Sequence, residues 1–429
     1  MKYPKIKSGL FVNNRNNFRN QLKSKSLAVL HSNDIMPRNG DNTYKFRQNS
    51  DLFYLSGIDQ EDTILLLFPD APVEKYREVL FIKETNEKIK VWEGEKFTKE
   101  KAKEYSGIKT VIWNDDFDAI FNMLVPFAEH LYLNLNENDR AATEVPYKDL
   151  RFANKVKARF PLHKYERIAP IVGNLRCIKS EIEVGLISKA CEITGNAFER
   201  VLKFMKPGVM EYEVEAEILH EFLCNRATGY AYHPIVASGE AACILHYNDN
   251  NKACKDGDLL LMDFGCEYAN YASDMTRTIP VNGKFTDRQK DVYNATLRVM
   301  KEATSMLRPG ITLNDYNKEV GLIMEKELVQ LGLLSQKDID EQNPDVPAYK
   351  KYFPHGTAHY MGLDVHDIGN RYEVMKPGMV FTCEPGIYIP KENIGVRIEN
   401  DILVTDGDPV DLMGDIPREV EEIEHLMNS

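Results

Sequence analysis

Histidine is scarce in this chain of 429 residues, with ten in all, and several other features are missing outright. There is no basic excess: 54 lysines and arginines stand against 66 acidic residues, a net charge of −12. Phosphate backbones are bound through basic surface, so nucleic acid is excluded as a main partner. The seven cysteines are odd in number and include no CxxC pair. That argues against a disulfide scaffold and against a cysteine-rich zinc site. No apolar run approaches the ~18 residues of a membrane span. No apolar stretch stands behind the charged start, so neither a membrane partner nor a secretory signal is expected, and the cytoplasm is the expected compartment. GxSxG and GxxxxGK[ST] are both absent, which leaves serine-hydrolase and phosphate-loop chemistry without support.

What remains is an ordinary globular composition, 43% apolar and 28% charged, in a chain long enough for two or three domains. Over the first 160 or so residues, SLAVLHS, DLFYLSGI, DTILLLFP, REVLFIK, TVIW and HLYLNL read as short strands. DFDAIFNMLVPFAEH and YKDLRFANKVKARF read as helices, which makes this part an α/β layer domain. From Ser180 to Met205 the pattern becomes that of a long helix, opened by a Ser180–Glu183 capping box and closed by Lys206-Pro-Gly208. A second helix starts near Glu211. The same phrase returns about a hundred residues later, as TDRQKDVYNATLRVMKEATSML, then RPG at Arg308–Gly310, then a helix from about Leu313. A third KPG, Lys376–Gly378, precedes a strand. The repetition predicts an internally duplicated α+β domain over 171–429, after an N-terminal domain over 1–170.

The scarce histidine is concentrated. FPHGTAHYMGLDVHD places His355, His359 and His366 within twelve residues. Histidines so grouped ligate metal, move protons or coincide, and the carboxylates elsewhere bear on the choice. LLLMDFGCEYANYASDMTRTIPV holds Asp263 and Asp274 in two strands whose turn is expected at Tyr268–Ala269, which would set the two acids directly opposite. FTCEPGIYIPKENIGVRIENDILV holds Glu384 and Glu399, paired by a turn centred between Lys391 and Glu392. A single such acid is ordinarily a solvated strand end. Four of them beside Leu261, Met262, Phe381 and Ile398 would each cost several kcal/mol, by rough estimate, if buried without neutralisation. Four carboxylates with an imidazole make a hard, oxygen-rich set suited to two divalent ions.

With these residues in view, the chain resembles the pita-bread metallopeptidases, specifically the Xaa-Pro aminopeptidases. The resemblance runs through FRQNSDLFYLSGI, ASGEAACILHYNDNN, MDFGCEYANYASDMTRTIPVNGKF, FPHGTAHYMGLDVHDIG, CEPGIYI and GVRIENDI, nearly the whole length. It implies a non-catalytic N-terminal domain and a catalytic domain that cleaves the bond between an N-terminal residue and a following proline. Its five metal ligands fall on Asp263, Asp274, His359, Glu384 and Glu399, with Asp274 and Glu399 bridging. They would hold two divalent ions, manganese first, with cobalt, iron and zinc as alternatives. A hydroxide between them would attack the peptide carbonyl, with Glu384 as general base. His246 and His366 match substrate-contacting histidines that support the oxyanion or the leaving nitrogen, and His355 matches a further active-site histidine. Arg397 and Tyr232 match a network beside the metals, and Tyr388 and Arg176 stand at matching positions as well. Trp92 and Asp41, in the N-terminal domain, match residues that narrow a neighbouring subunit's cleft, which implies a homodimer or homotetramer acting on peptides with proline second. Phe264 departs from the family, where a small residue is common, and the Gly386–Gly395 connection is short; both bear on substrate preference. Prolidase shares the fold and the ligands, but RTIPVNGKF and ACILHYNDNN lean toward the aminopeptidase. A metal-free binding protein of the same fold would have lost ligands that this chain keeps.

Overall fold

The computed structural model describes residues 2–138, 140 and 144–429. The chain packs as two units, Tyr3–Arg176 and Cys177–Ser429. The division falls within the helix Ala169–Cys177, a few residues past the boundary set from the sequence at 170.

In the first unit a six-stranded sheet runs Thr110–Trp113, Glu78–Ile82, Ile64–Leu67, Ser26–His31, His130–Leu133, Lys164–Arg167 across its width. The strand Ile64–Leu67 is antiparallel to both neighbours; the other pairings are parallel. Ser26–His31 is buried at every position. That explains its near-continuous apolar run, since a parallel-type strand covered on both faces has no solvent side to mark. On one face Leu27, Val29, Leu66, Phe68, Val79 and Phe81 alternate along their strands and pack against Phe117, Phe121, Leu124 and Val156.

One expected strand is a helix. DLFYLSGI forms the helix Ser50–Ser56. Asn49 caps it by accepting from the Asp51 and Leu52 amides, and Gly57 closes it at φ +67. A short apolar run buried on every side carries no period to separate the two states; the cap and the glycine were the deciding signals.

The second unit holds two copies of one arrangement. The helices Glu181–Phe204 and Glu211–Cys224 precede a hairpin of Leu259–Phe264 with Met275–Pro280. The helices Asp287–Met306 and Leu313–Gln330 precede a second hairpin, Val380–Cys383 with Asn400–Leu403. Each half opens on a capping box, Ser180 with Glu183 and Thr286 with Gln289. In each half a Pro-Gly pair separates the helices, with Gly208 at φ +93 and Gly310 at φ +104, a conformation that favours glycine. The expected duplication is therefore present as repeated helix–helix–hairpin.

The two hairpins differ in how well their register was foreseen. In the second, Cys383 pairs with Asn400 and Gly386 with Arg397, so the positions of Glu384 and Glu399 face each other as expected. In the first, Tyr268 pairs with Tyr271 and Asp263 with Thr276. The turn is the left-handed pair Ala269–Asn270, one position later than expected. Asp274 is thus not directly opposite Asp263. A shift of two in register keeps the same face, so both acids still meet on one side of the sheet.

Candidate metal centre and active site

Both hairpins bring their acids to one buried cluster. Asp274, His359 and Glu399 each place a donor atom so that all three lie within 4.8 Å of one another. His359 Nε2 lies 3.4 Å from Asp274 Oδ2 and 3.9 Å from Glu384 Oε1. Its Nδ1 faces the Tyr360 carbonyl at 3.0 Å, which leaves Nε2 toward the carboxylates. The His359 backbone is itself fixed by a pair of bonds to Thr382, and the Glu384 amide donates to the Thr357 carbonyl. Asp263 joins through two shared partners: Arg397 Nη2 donates to its Oδ2 at 2.5 Å, and the Tyr232 hydroxyl lies 2.6 Å from its Oδ1.

The Tyr232 hydroxyl also contacts Asp274 Oδ1. One phenol proton cannot serve both oxygens. Either one of the carboxyls carries a proton or a cation lies against the pair. Burial pushes the Tyr232 phenol well above its ordinary range, with the Asp263 and Asp274 charges adding, so the tyrosine stays a donor. Burial also raises Asp274, with His359 opposing and Asp263 reinforcing. It pushes Glu384 up to about 7 against the pull of His359 and Arg397. Glu399 rises well above the carboxylate range through burial and then through Asp274, Glu384 and Asp263. His359 moves up to about 9: burial pulls it down, but the bond to Asp274 and the charge of Glu384 outweigh that. Four carboxylates faced by one guanidinium and one imidazole are short of positive charge, and a hard divalent cation fits that donor set.

A hydrogen-bonded chain leads away from the cluster. Arg397 donates from Nη1 to the Tyr388 hydroxyl at 2.7 Å and from Nε to Thr276 Oγ1 at 3.0 Å. Tyr388 in turn meets His355 Nε2 at 2.8 Å, and His355 Nδ1 faces the Gly356 carbonyl at 2.7 Å. Burial, then the Arg397 charge, lowers the His355 imidazole to about 3. His246 and His366 are exposed. The His366 ring sits edge-on to His359, with centroids 4.4 Å apart, and His246 is near enough to bear on the charge of His355.

Three supports escaped the sequence reading. Thr276 donates to Glu399 Oε2 at 2.6 Å while accepting from Arg397. Asp401, fully buried, accepts the Asp274 amide at 3.0 Å. Arg277, also fully buried, donates to the carbonyls of Thr276, Glu399 and Pro417 and to Asn400 Oδ1. Burial draws its guanidinium down to about 10. The signal available for all three was a charged or hydroxyl residue inside an otherwise apolar strand, as in SDMTRTIP and RIENDI.

The remaining candidates lie in the first unit. Asp41 is exposed at the tip of the hairpin formed by Pro37–Asn39 and Asn42–Thr43. Trp92, on the helix Glu87–Glu93, is 82% exposed. Arg176 is buried and pairs with Asp51 at 2.7 Å.

Comparison with known proteins agrees with this geometry. Residues 185–406 match the model of metallopeptidase family M24, and residues 11–132 match the aminopeptidase P N-terminal domain. An Xaa-Pro aminopeptidase of Haemophilus influenzae is 35% identical over 95% of this chain and 94% of its own. The chain belongs to the aminopeptidase P family of M24 metallopeptidases. Among solved structures, aminopeptidase PepP of Pseudomonas aeruginosa matches with a TM-score of 0.90 at 33% identity, covering 99% of this chain and 98% of that one. Zinc-substituted aminopeptidase P of E. coli in complex with product matches at 0.88 and 32%, covering 99% of both chains. As a member of the aminopeptidase P family, the protein is a divalent-metal aminopeptidase with the pita-bread fold. Among the described residues no helix is long and apolar enough to cross a membrane.

Proposed function

We propose that this chain removes the N-terminal residue from peptides whose second residue is proline, using two divalent ions held by Asp263, Asp274, His359, Glu384 and Glu399. The observation that carries the reading is the convergence of four acids from two hairpins on His359, with too little positive charge to balance them. Manganese is the first choice of ion, and cobalt, iron and zinc accept the same donors. When bound, such ions polarise a carbonyl and make a water acidic near neutral pH.

The side chains then divide the work. Glu384, held near neutrality by burial, is matched to take and return a proton at pH 7. Tyr232 and Arg397 fix the orientation of Asp263 and Asp274. His246 and His366, exposed beside the cluster, support the carbonyl oxygen as it gains charge and supply a proton to the leaving nitrogen. Proline's tertiary amide carries no N–H, so the scissile bond offers no amide donor to the site. His355 is assigned to holding Tyr388, because both of its ring nitrogens already face partners. Trp92 and Asp41 are assigned to narrowing a neighbouring subunit's cleft. Val91 and Trp92, 81% and 82% exposed at adjacent positions, suit a homodimer or homotetramer contact. Seven unpaired thiols support a reducing, cytoplasmic setting.

The test is cleavage by protein stripped of metal and then given manganese, on Arg-Pro-Pro, Ala-Pro and Ala-Ala-Pro, with products separated by mass. Metal-dependent loss of only the first residue from Arg-Pro-Pro is expected. Cleavage of Ala-Pro alone would make the enzyme a prolidase. No cleavage by metal-loaded protein would overturn the reading.

A further inference from the structure

The segment ILHYNDNN is tied down more heavily than a surface loop requires. Leu245 and Tyr247 both point into an apolar cluster with Ile235, Ala237, Ala241, Ala242, Leu261 and Tyr388, and His246, between them, is exposed. The far end is held by Asn250, which accepts the Val236 amide at 2.9 Å and donates to the Pro234 carbonyl and to Glu215. The centre is held by a single carboxylate. Glu211 opens the helix Glu211–Cys224 and is fully buried. Its Oε1 accepts the Ser238 amide at 2.8 Å and the Ser238 hydroxyl at 2.7 Å. Its Oε2 accepts the Tyr247 hydroxyl at 2.8 Å and the Lys252 amide at 2.9 Å. Two donors on each oxygen are the full complement of a carboxylate.

These bonds join a helix start, a strand end and both sides of the histidine loop. Glu211 reaches neither the metal ligands nor the cleft by any of them. We propose that Glu211 is a positioning residue for His246: through Tyr247 and Lys252 it fixes the height and direction at which the imidazole meets a bound peptide. This rests on the reading of His246 as a substrate-contacting group. Tyr247 packs in the same cluster as Tyr388, so the loop is seated on the hydrogen-bonded chain that runs to Arg397 and Asp263.

In Glu211→Gln an amide nitrogen faces two donors, so the loop loses two of its bonds and gains a repulsive contact. Tyr247→Phe removes one hydroxyl, keeps the ring in the cluster, and guards against a first variant that fails to fold. Steady-state cleavage of Arg-Pro-Pro by manganese-loaded protein is measured for both, for His246→Ala, and for each combined with His246→Ala. A displacement of about 1 Å at a catalytic group costs up to about 100-fold. Glu211→Gln is therefore expected to lower kcat about 10- to 100-fold with KM nearly unchanged, and Tyr247→Phe less. In the His246→Ala background each should add less than about twofold, because residues that act through one another are not additive. Equal losses in both backgrounds would overturn the proposal, since a general loss of folded or metal-loaded enzyme multiplies. Full activity of both variants beside an impaired His246→Ala would overturn it as well. If His246→Ala itself were fully active, the assignment of His246 would fall, and the proposal with it, while metal-dependent cleavage of Arg-Pro-Pro would still stand.

Discussion

Arg397 is the principal fixed cation of the site, and removing it gives a number. Its guanidinium is 4% exposed and bonds to Asp263 at 2.5 Å, Tyr388 at 2.7 Å and Thr276 at 3.0 Å. Arg397→Met keeps much of the stem's packing but strands a carboxylate, a phenol and a hydroxyl. Breaking a buried ion pair from one side costs about 3–5 kcal/mol. Asp263 is 14% exposed and can relax by taking up a proton, so the lower end applies: about 3 kcal/mol, or roughly 150-fold in the ratio of folded to unfolded protein. The assay is urea unfolding of metal-stripped protein followed by far-ultraviolet circular dichroism. The two tryptophans, Trp92 and Trp113, both lie in the first unit, and their fluorescence serves as an internal reference for it. Arg397→Lys should recover less than half of the loss, because an ammonium cannot span three partners in a fixed plane. A loss below about 1 kcal/mol for Arg397→Met, or full recovery with lysine, would refute the claim that this guanidinium balances the cluster.

Two further outcomes are expected. Asp274→Ala should abolish cleavage and remove the manganese-induced rise in melting temperature, because one of three converging donors is gone; wild type at manganese 1,000-fold above Kd gains about 4 kcal/mol. Its metal-free melting temperature should not fall, since burial and Asp263 already raise this carboxyl. The second concerns acid. The His355 imidazole is lowered to about 3 in the folded protein, below its ordinary value near 6.5, so the unfolded chain takes up the proton first. Its stabilising effect is therefore complete above about pH 6.5 and is lost as pH falls toward 3, at no more than about 1.4 kcal/mol per pH unit. His355→Gln should flatten that limb in urea titrations between pH 6 and 4; an unchanged slope would count against a neutral, buried imidazole.

The catalytic half was legible because its signals were chemical and local. Pro-Gly pairs stop helices through glycine φ, and capping boxes start them, so all four long helices were placed from sequence. The hairpin of Glu384 and Glu399 was found because Pro390 and the residues around it mark its turn. The hairpin of Asp263 and Asp274 was misplaced by one position. Ala269 adopts φ +53 there, which its identity does not announce. DLFYLSGI was misread because burial on all sides erases the helical period. Arg277, Asp401, Thr276 and Glu211 were invisible for a different reason. Each acts through backbone groups or through another side chain distant in sequence, and such partners become neighbours only after the chain has folded.

Arg277 ties a metal-binding strand to the end of the protein. The guanidinium that holds the Glu399 carbonyl also holds that of Pro417, and Tyr293 takes the Arg418 carbonyl at 2.9 Å. Ile416 lies where a Cβ on Gly195 would meet it at 2.8 Å, so this stretch is fitted against the first long helix of the catalytic unit. The last dozen or so residues are thus no dispensable tail. A stop codon placed just before Pro417 would silence an enzyme whose ligands were all still encoded, whereas a fusion partner appended after Ser429 would leave them undisturbed.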